Sequence, residues 1–153
     1  MTTSGAQVQH GHETPFIRQF SVFLPNRVGQ LSELLDMLAE EEVQLAGICV
    51  VDSTEWAVVR MVFTDVGKAR AMLARHGIAF TEANALAVVL DEPGSFRQVC
   101  KMLVAAELNM TFAYPLLLQR NEKPVLVFHV DDEVMARKVL TKHGFALLDH
   151  EEM

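Results

Sequence analysis

The chain has 153 residues, of which 50% are hydrophobic and 22% are charged, and its formal net charge at pH 7 is −7. This composition is that of a globular protein, and it excludes a disordered, collagen-like or coiled-coil chain. The negative charge opposes binding to nucleic acids and to anionic membranes, because both carry charges of the same sign.

The sequence gives no sign of a membrane or secreted protein. No apolar stretch approaches the ~20 residues that a membrane helix needs, and no secretory signal is recognisable. Cys49 and Cys100 form neither a CxxC pair nor a disulfide framework. We therefore expect a cytoplasmic protein.

Residues 1–16 lack the periodicity of a helix or a strand. Met1–Pro15 is rich in polar residues and glycine, with Ala6 and Val8 as its small apolar residues. We predict a flexible N-terminal tail over residues 1–16. It contains His10 and His12, but two histidines on a mobile segment make a poor metal site, so we predict no metal binding there.

A strand and a helix open the organised part of the chain. Alternating hydrophobicity over Arg18–Leu24 predicts a strand, which Pro25–Gly29 interrupts. The helix that follows is predicted to bury one face, formed by Leu31, Leu34, Leu35 and Leu38.

A hairpin, a second helix and a closing strand complete this first unit. The β-rich runs Gln44–Asp52 and Trp56–Thr64 flank a turn-like segment. Asp65 suits the N-cap of a helix that ends at His76 and Gly77, and the closing strand is predicted over Ala79–Ala85. The inward residues of this helix are predicted to be Val66, Ala69, Met72 and Leu73.

The same order of elements follows once more. Its strands are predicted over Leu86–Leu90, Met110–Gln119, Val125–Val130 and Phe145–Leu148. Its first helix is predicted to bury Phe96, Val99, Cys100 and Leu103. Its second helix runs from about Asp132 to His143 and Gly144.

The two passes form an internal repeat. Asp65–Gly77 has the sequence DVGKARAMLARHG and Asp132–Gly144 has DEVMARKVLTKHG, with six of thirteen positions identical. Two βαββαβ units of this size are typical of the ferredoxin-like fold, an antiparallel sheet with two helices on one face. We predict an α+β protein with a first unit over residues 17–85 and a second over 86–153, packed side by side as one rigid body.

The predicted sheet face opposite the helices is unusually apolar. In the first unit that face carries Trp56, Val58, Arg60 and Val62, and in the second it carries Val125, Val127 and His129. A solvated face would alternate more strongly with polar residues. We therefore predict that a second copy of the chain covers this face in a homodimer.

No arrangement of residues typical of catalysis is present. The GxSxG, P-loop, HExxH and GxGxxG motifs are all missing. His76 and His143 occupy matching helix ends, where they suit the last carbonyls and the helix dipole, and both cysteines suit the core. We predict no catalytic residue, no cofactor and no metal, and hence a protein that is not an enzyme.

The turns after the first strand of each unit are more distinctive. PNRVG and DEPGS place Gly29 and Gly94 directly before a predicted helix. Free backbone N–H groups and the helix dipole favour a carboxylate or phosphate at such a position, and glycine lets a ligand approach the backbone. The alternative is that each glycine only makes a tight turn, and the spacing favours neither.

The βαββαβ order, with PNRVGQL and LDEPGSF after the first strands, resembles the ACT domain from about Phe16 to Leu148. The similarity is to stand-alone tandem ACT proteins, which have no catalytic domain. ACT domains are regulatory modules that bind amino acids and similar ligands where two modules meet. The resemblance implies that the loop after the first strand of one module and the second strand of its neighbour contact the ligand.

Carried over to this chain, the resemblance implies two sets of ligand-binding residues. The loop residues are Asn26, Arg27, Val28, Gly29 and Gln30 in the first unit and Glu92, Pro93, Gly94 and Ser95 in the second. The second-strand residues lie within Ala46–Cys49 and Thr111–Ala113 and include Gly47, Ile48 and Phe112. Val28 stands where many members have the proline that the second loop has as Pro93, so the two sites should not be equivalent.

We predict a non-catalytic sensor that binds a free amino acid or similar small carboxylate between its two units and regulates amino-acid metabolism. The alternative is a ligand-free regulatory subunit that docks on a metabolic enzyme. RNA-recognition modules share this topology, but Trp56, Tyr114 and Phe128 are too few aromatic residues for that role, and the net charge opposes it. A metal-chaperone version would need a cysteine pair near the first helix, which is missing.

Overall fold

The computed structural model describes residues 16–25, 27–51 and 55–153. The predicted tail up to residue 15, the loop residue Asn26 and the hairpin turn at 52–54 lie outside this range. The strands in it are β1 (Ile17–Pro25), β2 (Leu45–Val51), β3 (Trp56–Phe63), β4 (Phe80–Val89), β5 (Met110–Pro115) and β6 (Val125–Val130). The helices are α1 (Gln30–Glu40), α2 (Val66–Arg75), α3 (Ser95–Ala105) and α4 (Glu133–Lys142), followed by a short 3-10 turn at His150–Glu152.

One long strand, β4, belongs to both halves of the chain. All named strands join one antiparallel sheet in the order β2-β3-β1-β4-β6-β5. The first half of β4, Phe80–Ala85, pairs with β1, and the second half, Leu86–Val89, pairs with β6. The sequence analysis placed two successive strands here, and the structure joins them into one.

The predicted fold class is confirmed: the protein is α+β, with the βαββαβ order written twice in antiparallel sheet. The last predicted strand, Phe145–Leu148, is reduced to a short stretch against β4. There Leu147 forms a single bridge with Val88, and the Leu148 N–H donates to the Ala87 carbonyl over 2.8 Å.

The second strand of the second unit is shorter than the predicted Met110–Gln119. It ends at Pro115: the Leu116 N–H still donates to Val125 of β6 over 2.9 Å, and from Leu117 onward the chain bonds to β2 instead. The Leu117 N–H donates to the Ala46 carbonyl over 2.7 Å, and Leu116 forms a bridge with Gly47. The two outermost strands of the sheet therefore meet, which requires the sheet to coil around on itself.

The core has three parts. One lies between the first unit's helices and its sheet and includes Phe20, Leu34 and Phe63, and the second unit has its counterpart around Leu86 and Phe128. The third lies between the two helix-free sheet faces, and its buried members include Ile17, Val62, Ala87, Tyr114 and Val127. The helix-free faces of the two units thus pack against each other.

This packing changes the prediction of what covers the apolar face. Val62, Val125 and Val127 are buried within the single chain, in the core between the two faces. For these residues the cover is the other unit, because the coiled sheet folds one face onto the other, and the expectation of a second copy was wrong for them. Trp56 keeps 48% of its surface exposed.

The helix faces follow the prediction with two exceptions. Leu34, Leu38, Val99 and Leu103 are buried as expected. Leu35 and Phe96 were assigned to the core, but they are 38% and 44% exposed. A methionine on the flank opposite the exposed residue packs against the core in each helix. These methionines are Met37 in α1 and Met102 in α3.

The ends of the second helix in each unit agree with the sequence analysis. Asp65 and Asp132 accept hydrogen bonds from the backbone N–H groups of Lys68 and Met135, each over 3.0 Å. Gly77 and Gly144 have φ angles of 67° and 87°, the left-handed region that favours glycine after a helix.

The two helix-end histidines behave differently. The ring of His143 contacts the Val139 carbonyl over 2.8 Å, as expected for a residue that serves the helix end. The ring of His76 instead contacts the Glu41 carboxylate over 2.5 Å. Its partner is therefore the side chain of the residue that directly follows α1.

Candidate functional site

The two turns singled out from the sequence have the same backbone conformation. Gly29 and Gly94 are the N-cap residues of α1 and α3, with φ angles of 90° and 92°. A Cβ atom at either position would meet nothing within 4 Å, so the demand for glycine comes from the backbone angle and not from crowding. The turn itself therefore explains both glycines.

At both turns, backbone N–H groups at the start of a helix have no partner within the described part of the chain. Neither N-cap residue has a side chain that could accept a hydrogen bond from the helix. In the first unit the Glu33 N–H donates to the Gly29 carbonyl over 2.9 Å, whereas the N–H groups of Leu31 and Ser32 have no partner among the described residues. Such groups can bind a carboxylate.

The second turn is closed differently. The Ser95 hydroxyl accepts a hydrogen bond from the Glu92 N–H over 3.0 Å, and Ser95 is buried. In the first turn the same position is Gln30, which is partly exposed. The two turns are therefore alike in backbone and unlike in side chains.

The two turns lie far apart. Val22 of β1 pairs with Phe80 at the start of β4, so the turn after Pro25 lies beyond that end of β4. The turn at 91–94 follows the opposite end of the same strand. A strand of ten residues spans about 30 Å, so one small ligand cannot contact both turns.

The predicted second-strand residues also lie away from these turns. Gly47 approaches the second unit so closely that a Cβ atom there would lie 2.6 Å from Leu116 Cδ2. Phe112 stacks on His129 with ring centres 5.5 Å apart, and the Arg60 guanidinium lies 4.2 Å from the centre of the Phe112 ring. Ile48 packs against the core beneath α1 and α2. Gly47 and Phe112 thus belong to the seam between the two units, and the structure does not bring them together with either turn.

A cleft of about 310 Å³ opens beside the first turn. It lies between the end of β1, the first half of α1 and the turn that joins α2 to β4. Gln30 is the predicted site residue that lines it. Its walls also include Phe23, Glu33, Leu34, Met37, Trp56 and Ile78.

These cleft residues could not have been assigned from the sequence alone. Trp56 is the first residue of β3, directly opposite Pro25 in the ladder between β1 and β3. Ile78 reaches the cleft because the Phe23 N–H donates to the Ala79 carbonyl over 2.9 Å, which ties the start of β4 to the end of β1. The one sequence feature that could have indicated the cleft is Glu33, which lies in the first turn of α1 outside the predicted buried face.

The corresponding region of the second unit has a different shape. A hollow of about 160 Å³ lies beside α3, and its lining includes Glu92, Ser95, Gln98 and His143. A separate depression of about 410 Å³ lies on the outside of the turn and is lined by Leu90, Pro93, Phe96 and Pro124 among others. Pro124 takes the place of Trp56, since the Leu90 N–H donates to the Pro124 carbonyl over 2.9 Å.

Neither a metal site nor a membrane-spanning helix is found among the described residues. Within residues 16–25, 27–51 and 55–153, no three His, Cys, Asp or Glu side chains lie close enough together to bind a metal ion. None of the helices in that part of the chain has both the length and the apolar character needed to cross a membrane.

Comparison with solved structures finds the same fold in other proteins. The crystal structure of protein BT0572 from Bacteroides thetaiotaomicron has a TM-score of 0.80 and 22% identity, over 90% of this chain and 94% of that one. The ligand-free regulatory subunit of aspartate kinase from Thermus thermophilus has a TM-score of 0.56 and 10% identity, over 84% of this chain and 91% of that one. These identities are low, so the two structures show a shared fold alone.

The family assignment comes from the sequence of the whole organised chain. No curated protein sequence matches it. The family described as the ACT domain pair matches residues 16–153, which confirms the resemblance seen in the strand-loop motifs. This chain belongs to the ACT domain pair family.

Proposed function

We propose that this ACT domain pair is a sensor that binds a free amino acid and regulates amino-acid metabolism without catalysing a reaction itself. The observation that carries the proposal is the open cleft beside the first turn, which Gln30 and Glu33 line from the start of α1. The Leu31 and Ser32 N–H groups in the same helical turn have no partner among the described residues. The family is one of regulatory modules, and a structural relative is described as a regulatory subunit of aspartate kinase. The proposal places the protein in the cytoplasm.

The first turn supplies the groups that an amino acid requires. In this proposal the N–H groups of Leu31 and Ser32 donate to the ligand carboxylate, and the dipole of α1 favours its negative charge. Arg27 and Val28 are exposed at the same turn. We assign the site to this turn and cleft, within the first unit and not between the two units, because the second-strand residues lie elsewhere.

A thermal-shift screen of the twenty amino acids tests the function. A ligand that binds only the folded protein stabilises it by about 2.7 kcal/mol at a concentration of 100 times Kd. For a chain of this size that corresponds to a rise in Tm of about 5–10 °C. A rise with one class of amino acid supports the sensor, and unchanged Tm values with all twenty would contradict it.

Docking on a metabolic enzyme without a ligand is the second candidate function. Exposed apolar side chains favour it, in particular Val50 on β2, Val104 at the end of α3 and Leu117 beyond β5. Co-purification of a metabolic enzyme, together with a flat thermal-shift screen, would favour this function over the sensor.

We also propose a homodimer. The buried positions of Val125 and Val127 no longer support it, and its remaining support is the pair of exposed side chains Val50 and Leu117 near the meeting strands. Light scattering at micromolar concentration tests it, and a purely monomeric mass would contradict it.

A further inference from the structure

The walls of the cleft beside the first turn are mainly apolar. Phe23, Leu34, Met37, Trp56 and Ile78 line it, and Leu34 is fixed in the core with only 1% of its surface exposed. Its volume of about 310 Å³ lies at the small end of the range for small-molecule sites. We propose that this cleft selects an amino acid with a large apolar side chain and that Glu33 pairs with its ammonium group. This inference rests on the proposed function and adds the class of the ligand.

Charge in the cleft disfavours an acidic ligand side chain. Glu33 is the ionisable side chain among the described lining residues, and it has no ion pair in that part of the chain. A carboxylate on the ligand side chain would face a charge of the same sign. A hydroxyl or amide side chain would lose its hydration against apolar walls with few partners to replace it. An apolar side chain instead gains from burial against Phe23, Met37 and Ile78.

The second unit has other residues at the positions of Glu33 and Trp56. Gln98 occupies the position of Glu33 one repeat later, and Pro124 occupies that of Trp56. The hollow beside α3 has about half the volume and is lined mainly by polar side chains. We therefore expect one such ligand per chain, bound in the first unit.

The single tryptophan of the chain lies in the cleft and serves as its reporter. Because 48% of the Trp56 surface is exposed, an apolar side chain that covers the ring should shift its emission to shorter wavelength. The experiment titrates the full chain with leucine, methionine and phenylalanine, and then with serine, aspartate and lysine. We expect a saturable shift with the first group and none with the second. Equal or tighter binding of the second group would overturn the inference.

A pair of charge-matched variants tests the role of Glu33. We expect Glu33→Gln to weaken binding of leucine about two- to fivefold, because an exposed ion pair is lost. Asp36→Asn is the control, since it removes the same charge from an exposed position on the same helix, outside the cleft. Equal weakening by both variants, or by neither, would contradict the role of Glu33.

Calorimetry on the same samples separates this inference from the proposed function. If an amino acid binds while Trp56 emission and the Glu33→Gln affinity stay unchanged, the cleft assignment is wrong and the sensor function stands. If no amino acid binds at all, both are wrong.

Discussion

The Tyr114 hydroxyl donates a hydrogen bond to Gln19 Oε1 over 2.5 Å in the interior between the two units. Tyr114 lies on β5 and Gln19 on β1, and each keeps only 4% of its surface exposed. Burial raises the pKa of Tyr114, so the hydroxyl keeps its proton throughout the physiological range. A buried polar pair of this kind tolerates little displacement and so fixes how the two halves of the sheet align.

Removal of the Tyr114 hydroxyl should destabilise the protein. We expect Tyr114→Phe to lower the free energy of unfolding by about 1–3 kcal/mol, because the Gln19 amide is left buried without its partner. Urea denaturation measures the change. Adding Gln19→Met to the same chain should recover part of the loss, since both polar groups are then gone. A Tyr114→Phe protein as stable as wild type would show that the bond does not hold the units together.

The glycines at the two turns should be required for their backbone angle. We expect Gly29→Ala and Gly94→Ala each to cost about 1–2 kcal/mol, because an L residue is strained at these φ values. Gly67→Ala is the control: this glycine lies in the first turn of α2 without a positive φ, so alanine there should stabilise by up to about 1 kcal/mol. Chemical denaturation should therefore show a lower free energy of unfolding for the variants at Gly29 and Gly94 and a higher one for the variant at Gly67. Stabilisation by Gly29→Ala would contradict the turn geometry.

The close approach at Gly47 should not accommodate a larger side chain. We expect Gly47→Val to cost about 1–3 kcal/mol, because its side chain would displace Leu116 where β2 meets the second unit. Thermal denaturation measures the cost. Shortening the neighbour with Leu116→Ala should relieve part of it, and strictly additive losses in the double variant would argue against a clash at this point.

A surface ion pair should make part of the stability depend on pH. Arg70 holds Glu82 through two hydrogen bonds of 2.7 Å, and these lower the pKa of Glu82 below its ordinary value. The pair therefore stabilises the folded state above the unfolded pKa of about 4.3, and this contribution is lost as the pH falls through the folded pKa. Glu82→Gln should lower the urea midpoint at pH 7, with a difference from wild type that shrinks below about pH 4.

The control for that prediction is Glu40→Gln, an exposed glutamate without an ion pair among the described residues. It should change the midpoint little at either pH. A Glu82→Gln deficit that persists unchanged at low pH would mean that the carboxylate charge is not its cause.

Much of this fold could be predicted because its signals are local. Strand alternation, the N-caps Asp65 and Asp132 and the terminal glycines Gly77 and Gly144 each depend on a few neighbouring residues. The joining of two predicted strands into β4 and the burial of Val125 and Val127 depend on contacts between distant segments. An apolar strand face shows that something covers it, and only the three-dimensional arrangement shows that the other unit does.

The candidate site was less accessible to sequence reasoning. Gly29 stood out because a turn before a helix has a local pattern, whereas Gln30 was implied by the resemblance to the ACT domain. Trp56 and Ile78 line the same cleft from two other parts of the chain, and no spacing along the sequence predicts that they lie together. The distance between the two turns follows from the antiparallel pairing of β1 with β4, which is again a property of the assembled sheet.

The central claim is that an amino acid binds beside the first turn, and backbone amide NMR of the 17.1 kDa chain tests it most directly. The measurement follows every resolved amide resonance as an apolar amino acid is added to the full chain. We predict saturable shifts that cluster in Arg27–Glu33 and Gly77–Ala79, with the seam around Gly47 and Phe112 unchanged. Shifts confined to that seam or to the turn at Gly94, or no shifts with any amino acid, would contradict the account.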